Sequence, residues 1–291
     1  RSRRQRQMCI RDRYKGAPLK DSNFPTVDPK DPLKLTKMEE AVIEALALDF
    51  KRGMKLNRHI ELLYENGSIY KIENGSLLFH GCIPLNDDGS LMEVEIWGDY
   101  YSGKALMDKF DEIARSAFYN NDQKSLDIMW YLFYGKQSPI FGKSQFSYFE
   151  NIFIEDEALR KEIYNPYYKL SNEEEIADMI LDEFGVTGAR RRIVNGHVPV
   201  KTKKGELPIK AKGKVYVIDG GISKPYQEKT GIAGYTLVFN SHAVSLAEHN
   251  NYQSITDEAS SYRPNIKEIE VLHPRTVSYT HLRAHETPEH L

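Results

Sequence analysis

The sequence predicts an α+β fold, and two observations carry that expectation. Apolar residues recur at helical spacing through residues 36–52, 103–135 and 171–184. Short runs rich in β-branched and aromatic residues, bounded by Gly or Asn-Gly, surround residues 68–79 and return after Gly185. The expected architecture is therefore a sheet region flanked by helices, with a helical middle segment near residues 103–185. Neither an internal repeat nor a low-complexity tract interrupts it.

The elements follow in order. Residues 14–35 are rich in Pro, Asp and Lys and read as an irregular lead-in. Residues 36–52 have a helical apolar period, with Thr36 followed three residues later by Glu39, the pattern of a reciprocal capping box. Residues 61–64 and 68–72 flank Glu65-Asn66-Gly67 and predict a hairpin. A second Glu73-Asn74-Gly75 precedes residues 76–79, so this region is expected to be short antiparallel strands that deliver His80. Residues 103–135 predict two helices broken at Asn120-Asn121, with Leu126, Met129, Trp130 and Phe133 on the packed face. Residues 136–170 read as a long ordered loop. Residues 171–184 predict a helix capped by Ser171, with Glu173, Glu174 and Glu175 in the first turn, where the helix dipole favours anions. Strands are expected at 193–195, 214–218 and 235–240.

Two terminal segments read differently from the body. Residues 1–13 hold six Arg and one Asp, residues 277–291 hold three His, one Arg and two Glu, and neither shows apolar periodicity. Both read as artefactual tails, translated sequencing adapter rather than protein. Without them the net charge of −2 becomes −6 over residues 14–276, so composition gives no reason to expect a nucleic-acid partner. Of the two cysteines, Cys9 lies in the first tail and Cys82 alone remains. No internal disulfide can form in the body, which fits a reducing cytoplasm. No stretch approaches the roughly 18 apolar residues of a membrane span. The oligomeric state is left open. About 263 residues suffice for one large or two small domains.

The chemistry-bearing residues sit at expected strand ends. Leu77-Leu78-Phe79-His80-Gly81-Cys82 runs an apolar strand into a histidine, and Asn195-Gly196-His197 does the same after residues 193–195. A strand fixes the backbone, and an adjacent glycine allows close approach, as a metal site on a sheet rim requires. Taken alone, each histidine is either a ligand or a satisfied core residue. Asp219 ends the next strand before two glycines, either orienting a ligand histidine or starting a tight turn. Lys201, Lys210 and Lys224 flank these strands and are candidates for an anionic ligand, or else solvated. Arg191 and Arg192, beside Arg190, are candidate phosphate-clamping groups, as is Lys143. Cys82 is expected to be a small buried residue.

Several stretches in this order resemble one family: Phe79-His80-Gly81-Cys82-Ile83-Pro84-Leu85, Tyr101-Ser102-Gly103-Lys104-Ala105-Leu106, Ser138-Pro139-Ile140-Phe141-Gly142-Lys143, Asn195-Gly196-His197-Val198-Pro199-Val200-Lys201, and Thr230-Gly231-Ile232-Ala233-Gly234-Tyr235-Thr236. The chain resembles the bacterial class III fructose-1,6-bisphosphatases, within the calcineurin-like metallophosphoesterases, from about residue 14 to about residue 274. The resemblance implies part of a metallophosphoesterase β-sandwich and hydrolysis of fructose 1,6-bisphosphate to fructose 6-phosphate. It also implies a dinuclear manganese centre, with His80 and His197 as the only ligands that carry over. The family's Asp-x-His, Gly-Asp-x-x-Asp-Arg-Gly and Gly-Asn-His-Glu motifs precede the first His-Gly strand and are not found. Gly98-Asp99-Tyr100-Tyr101 has Tyr101 where the second Asp should stand and follows His80, so Asp99 reads as a loop acid. The implied picture is the C-terminal portion of an enzyme, inactive by itself. A metallophosphoesterase of other specificity and a non-catalytic binding module are the alternatives.

Overall fold

The computed structural model describes residues 13–145, 147–249 and 264–272. The chain forms two units, Arg1–Lys71 with Cys82–Tyr168, and Ile72–Gly81 with Lys169–Leu291.

The first unit is mainly helical. Strands β1 (Arg13–Tyr14) and β2 (Ala17–Pro18) form a minimal hairpin, so Arg13, assigned to a tail by sequence, is paired with Pro18. Helix α1 (Lys37–Arg52) begins with the expected capping box, the Thr36 hydroxyl accepting from the Glu39 amide and the Glu39 carboxylate accepting from the Thr36 amide. The hairpin expected at residues 61–72 is not formed. Residues 61–64 lie inside helix α2 (Met54–Asn66), whose Leu56, Ile60 and Leu63 keep a helical period. Gly67 ends that helix by donating to the Leu63 carbonyl, and the Arg115 guanidinium donates to the Tyr64 and Gly67 carbonyls that the helix end leaves over.

Helices α3 (Gly103–Asn120) and α4 (Gln123–Tyr134) break where expected, with Asn121 left-handed at φ 54° and Asp122 capping α4. They pack with the hairpin β5 (Val94–Ile96) and β6 (Asp99–Tyr101) around Val94, Ile96, Leu106, Phe110, Ile113 and Leu132. The inner face of α4 is Ser125, Ile128, Met129 and Leu132, one position displaced from the expected stripe. Trp130 and Phe133 are exposed and stack on each other. The stretch read as loop holds three short helices, α5 (Tyr148–Phe153), α6 (Glu157–Arg160) and α7 (Tyr167–Leu170).

The second unit is built on a five-stranded sheet ordered β3-β4-β7-β9-β8. Strands β3 (Tyr70–Glu73) and β4 (Ser76–Phe79) join through Asn74-Gly75, both at positive φ (49° and 67°), the conformation a two-residue hairpin turn needs. Strand β7 (Arg192–Asn195) runs parallel to β4, and β9 (Val215–Val217) runs parallel to β7. Strand β8 (Ile209–Lys210) is antiparallel to β9. Leu77, Ile193 and Val215 are fully buried, as parallel strands covered on both faces require.

Helix α8 (Glu174–Glu183) buries Ala177, Ile180 and Leu181. Its cap is Glu173, without a side-chain cap bond, and Ser171 is buried upstream of it. Glu174, in its first turn, pairs with Lys212 and Lys214. Helix α9 (Lys224–Thr230) is followed by an antiparallel sheet of β10 (Gly234–Phe239), β11 (Ala243–His249) and β12 (Asn265–Val271). Arg192 of β7 joins the two sheets through Glu270 of β12. Among the described residues no helix is long and apolar enough to cross a membrane. The architecture is α+β, as expected.

Candidate active site

The carboxyl ends of three neighbouring parallel strands converge. His80 follows β4, His197 follows β7 two residues past its end, and Asp219 follows β9. This is the edge of an open parallel sheet where the strand ends leave backbone groups and side chains free for a ligand. His80 Nε2 stands 3.0 Å from His197 Nδ1, so one ring donates to the other. The rings cross at 66° with centroids 4.8 Å apart.

Main-chain bonds clip the three ends together. The Gly196 amide donates to the His80 carbonyl at 2.9 Å, the Ile218 amide to the Asn195 carbonyl at 2.9 Å, and the Val200 amide to the Asp219 carbonyl at 2.8 Å. At this turn the protein's own packing does not require a glycine. A Cβ on Gly196 would meet only ordinary contacts, 3.6 Å from the Asp219 Cβ and 3.7 Å from the His80 carbonyl oxygen. The unusual backbone is at His197, whose φ is 67°. The Val198 amide donates to the Gly196 carbonyl at 2.8 Å, closing a γ-turn centred on His197 in the rarer, strained, positive-φ form. Glycine is needed instead at Gly220, where a Cβ would lie 2.6 Å from the Gly234 nitrogen.

Partial burial lowers the His80 pKa, and the negative charge of Asp219 opposes that shift. The balance favours a neutral ring, the form that can offer a lone pair. The Asp219 carboxylate also accepts from the Gly221 amide at 2.8 Å. Asp219 thus orders its own turn and places negative charge near His80.

The spacing suits two ligands of one ion. Nitrogens about 2.1 Å from a cation and at right angles to each other stand about 3.0 Å apart. The donor set is incomplete, however. Among the described residues no group of three or more His, Cys, Asp or Glu could hold an ion. The described residues thus offer two imidazole donors at this point and no complete ligand set.

The candidate phosphate ligands divide. Arg191 pairs with Asp178 and Asp182, and Arg192 is buried against Glu270. Both guanidiniums are engaged in the fold, which corrects the reading of them as a free clamp. Lys143 lies in the first unit, ion-paired to Glu162 at 2.9 Å, and is likewise committed. Lys201 and Lys210 have no carboxylate within ion-pair distance among the described residues. Lys210, half buried, has its pKa lowered by desolvation, with Glu206 opposing. Lys224 opens α9. Cys82 is fully buried, as expected, and burial pushes its thiol up to about 12, so it is inert as a nucleophile or ligand. Sequence reasoning overlooked Asn195, buried at the end of β7, with its Nδ2 donating to the Gly81 carbonyl at 3.3 Å. Its signal was present as the polar residue directly after the apolar pair Ile193-Val194.

Comparison with known proteins bears on this arrangement. The profile of a family described as Firmicute fructose-1,6-bisphosphatase matches residues 4–285. The chain is 49% identical over 253 residues to a protein named fructose-1,6-bisphosphatase class 3 from Finegoldia magna, covering 85% of this chain and 39% of that one. A protein of the same name from Clostridium botulinum strain Alaska E43 is 50% identical over 246 residues, 83% of this chain and 37% of its own. One from Bacteroides fragilis is 49% identical over 255 residues, 86% of this chain and 38% of its own. The chain therefore spans under two fifths of the length of these relatives. No solved structure matches it.

Proposed function

Because the chain belongs to the Firmicute fructose-1,6-bisphosphatase family, we propose that it is part of an enzyme hydrolysing fructose 1,6-bisphosphate to fructose 6-phosphate and phosphate. The observation that carries this reading is the His80–His197 pair, 3.0 Å apart at the ends of adjacent parallel strands. The fold reading is a portion of a calcineurin-like metallophosphoesterase. The metal reading is a dinuclear manganese centre for which His80 and His197 provide imidazole ligands. The carboxylate ligands would come from polypeptide that the longer relatives have and these 291 residues do not. When bound, such a pair of cations supplies Lewis-acid activation of a phosphate ester and of the attacking water.

The chain's own residues would do the rest. His80, whose charged form partial burial disfavours, and His197, placed by its γ-turn, would each give up their mutual hydrogen bond to offer a lone pair to the ion. Asp219 holds a compensating negative charge beside His80. Lys201 and Lys210, which have no carboxylate within ion-pair distance among the described residues, would meet the sugar phosphate.

The test is phosphate release from fructose 1,6-bisphosphate with manganese present. The 291-residue chain alone should show no appreciable turnover, because two histidines without bridging carboxylates hold metal weakly. Co-expression with the part of the Finegoldia magna relative that this chain does not match should restore hydrolysis, and His80→Ala or His197→Ala should abolish it. Full turnover by the chain alone, or hydrolysis of other phosphomonoesters in preference to fructose 1,6-bisphosphate, would overturn the proposal.

A further inference from the structure

We infer that Asn195 is a positioning residue that holds the two histidine-bearing strand ends in register, an inference that rests on the reading of His80 and His197 as one site. Asn195 is 3% exposed and ends the central strand of the three that converge. It touches both neighbours. Its Nδ2 donates to the Gly81 carbonyl, immediately after His80, and its own carbonyl accepts from the Ile218 amide, immediately before Asp219. The β4–β7 ladder pairs residues only as far as Leu78 with Val194. Beyond that point the side chain of Asn195 and the Gly196 amide tie the His80 loop to the His197 loop, alongside the bond between the two rings.

Two features argue that this amide serves the site rather than the fold alone. Its Oδ1 is buried and has no hydrogen-bond partner among the described residues. A buried acceptor left unmade costs stability, and a β-branched apolar residue of similar size would avoid that cost in a strand. The second feature is the neighbour it steadies. His197 sits in a strained γ-turn, and such a conformation persists only where its surroundings over-determine it. The amide clamp lies two residues from that strain and on the loop that carries the partner ring.

Asn195→Val separates the two roles. It removes the clamp and the orphan Oδ1 while keeping a strand-forming side chain, and the Gly81 carbonyl loses its Asn195 donor in exchange, so the melting temperature should change little. In the metal-free wild-type chain, nitrogen NMR of the imidazoles should show His80 and His197 in fixed, complementary tautomers, one donating and one accepting. In the variant both rings should show averaged tautomers, while His59, His242 and His249 stay unchanged. Manganese affinity should fall 10–100-fold, as for loss of an outer partner of a ligand. Unchanged tautomers and unchanged affinity would overturn the inference. If Asn195→Val does not fold, Asn195→Ala, which adds no branched bulk, is read in the same way. A wild-type chain that binds no manganese would count against the metal reading, and the tautomer comparison would still decide the role of Asn195.

Discussion

Removing Glu270 should cost far more than replacing Arg192, although the two form one ion pair. Arg192 is 4% exposed, its Nη2 lies 2.6 Å from Glu270, and its guanidinium sits over the rings of Tyr216 at 5.7 Å and Phe239 at 5.5 Å. In Glu270→Ala the buried guanidinium loses its counter-charge and, among the described residues, keeps the Arg190 carbonyl as acceptor. Breaking a buried pair from one side costs about 3–5 kcal/mol. In Arg192→Met a flexible thioether fills the slot between the two rings. The lost cation–π contact, about 2 kcal/mol at a desolvated site, is offset by sulfur–ring contact of about 1 kcal/mol. Relief of the unpartnered Nη1 returns about 1 kcal/mol more. Glu270 is not orphaned, because Arg190 still pairs with it at 2.9 Å. The net for Arg192→Met is within about 1 kcal/mol of zero. Urea unfolding followed by far-UV circular dichroism reads the difference, since Trp97 and Trp130 both lie in the other unit. At an m-value of about 1.5 kcal/mol per M, a loss of about 3 kcal/mol moves the midpoint down by about 2 M. An Arg192→Met midpoint as low as that of Glu270→Ala would refute the reasoning.

Two further outcomes follow from the site's surroundings. Gly220→Ala places a methyl 2.6 Å from backbone nitrogen that cannot swing aside, so it should destabilise the second unit by about 1–3 kcal/mol and displace Asp219, read as a lowered urea midpoint. The His80 pKa is lowered in the folded chain, so below the usual imidazole value of about 6.5 the unfolded chain binds the proton more readily. Stability is full above that value and falls as pH drops through the window beneath it. In chelator, His80→Gln should flatten the decline of melting temperature between about pH 7 and pH 5.5, and identical declines for wild type and variant would contradict the assignment.

Much of the fold was legible where a local interaction decides the outcome. The Thr36–Glu39 capping box, the Asn120-Asn121 break and the Asn74-Gly75 turn are each closed by residues within a few positions. The two Glu-Asn-Gly tripeptides show the limit. At residues 73–75 the tripeptide turns a hairpin, and at 65–67 it ends a helix, because Leu56, Ile60 and Leu63 keep a helical period ahead of it and Arg115, 48 positions from Gly67, takes up the helix-end carbonyls. Strands β11 and β12 were not anticipated, since their pairing joins residues 243–249 to 265–271 across a long separation. At the site, the histidines could be read from their strand-end placement and the family resemblance. The fates of Arg191, Arg192 and Lys143 could not, because Asp178, Glu270 and Glu162 meet them only in the folded chain.

The central claim is that His80 and His197 together face a divalent cation. Paramagnetic broadening by substoichiometric manganese tests it most directly, with the imidazole protons of all histidines followed in one titration. The resonances of His80 and His197 should broaden first and together, ahead of His59, His242 and His249, and His197→Ala should remove the effect at His80. Broadening that begins at another histidine, or that persists at His80 in the variant, would contradict the account.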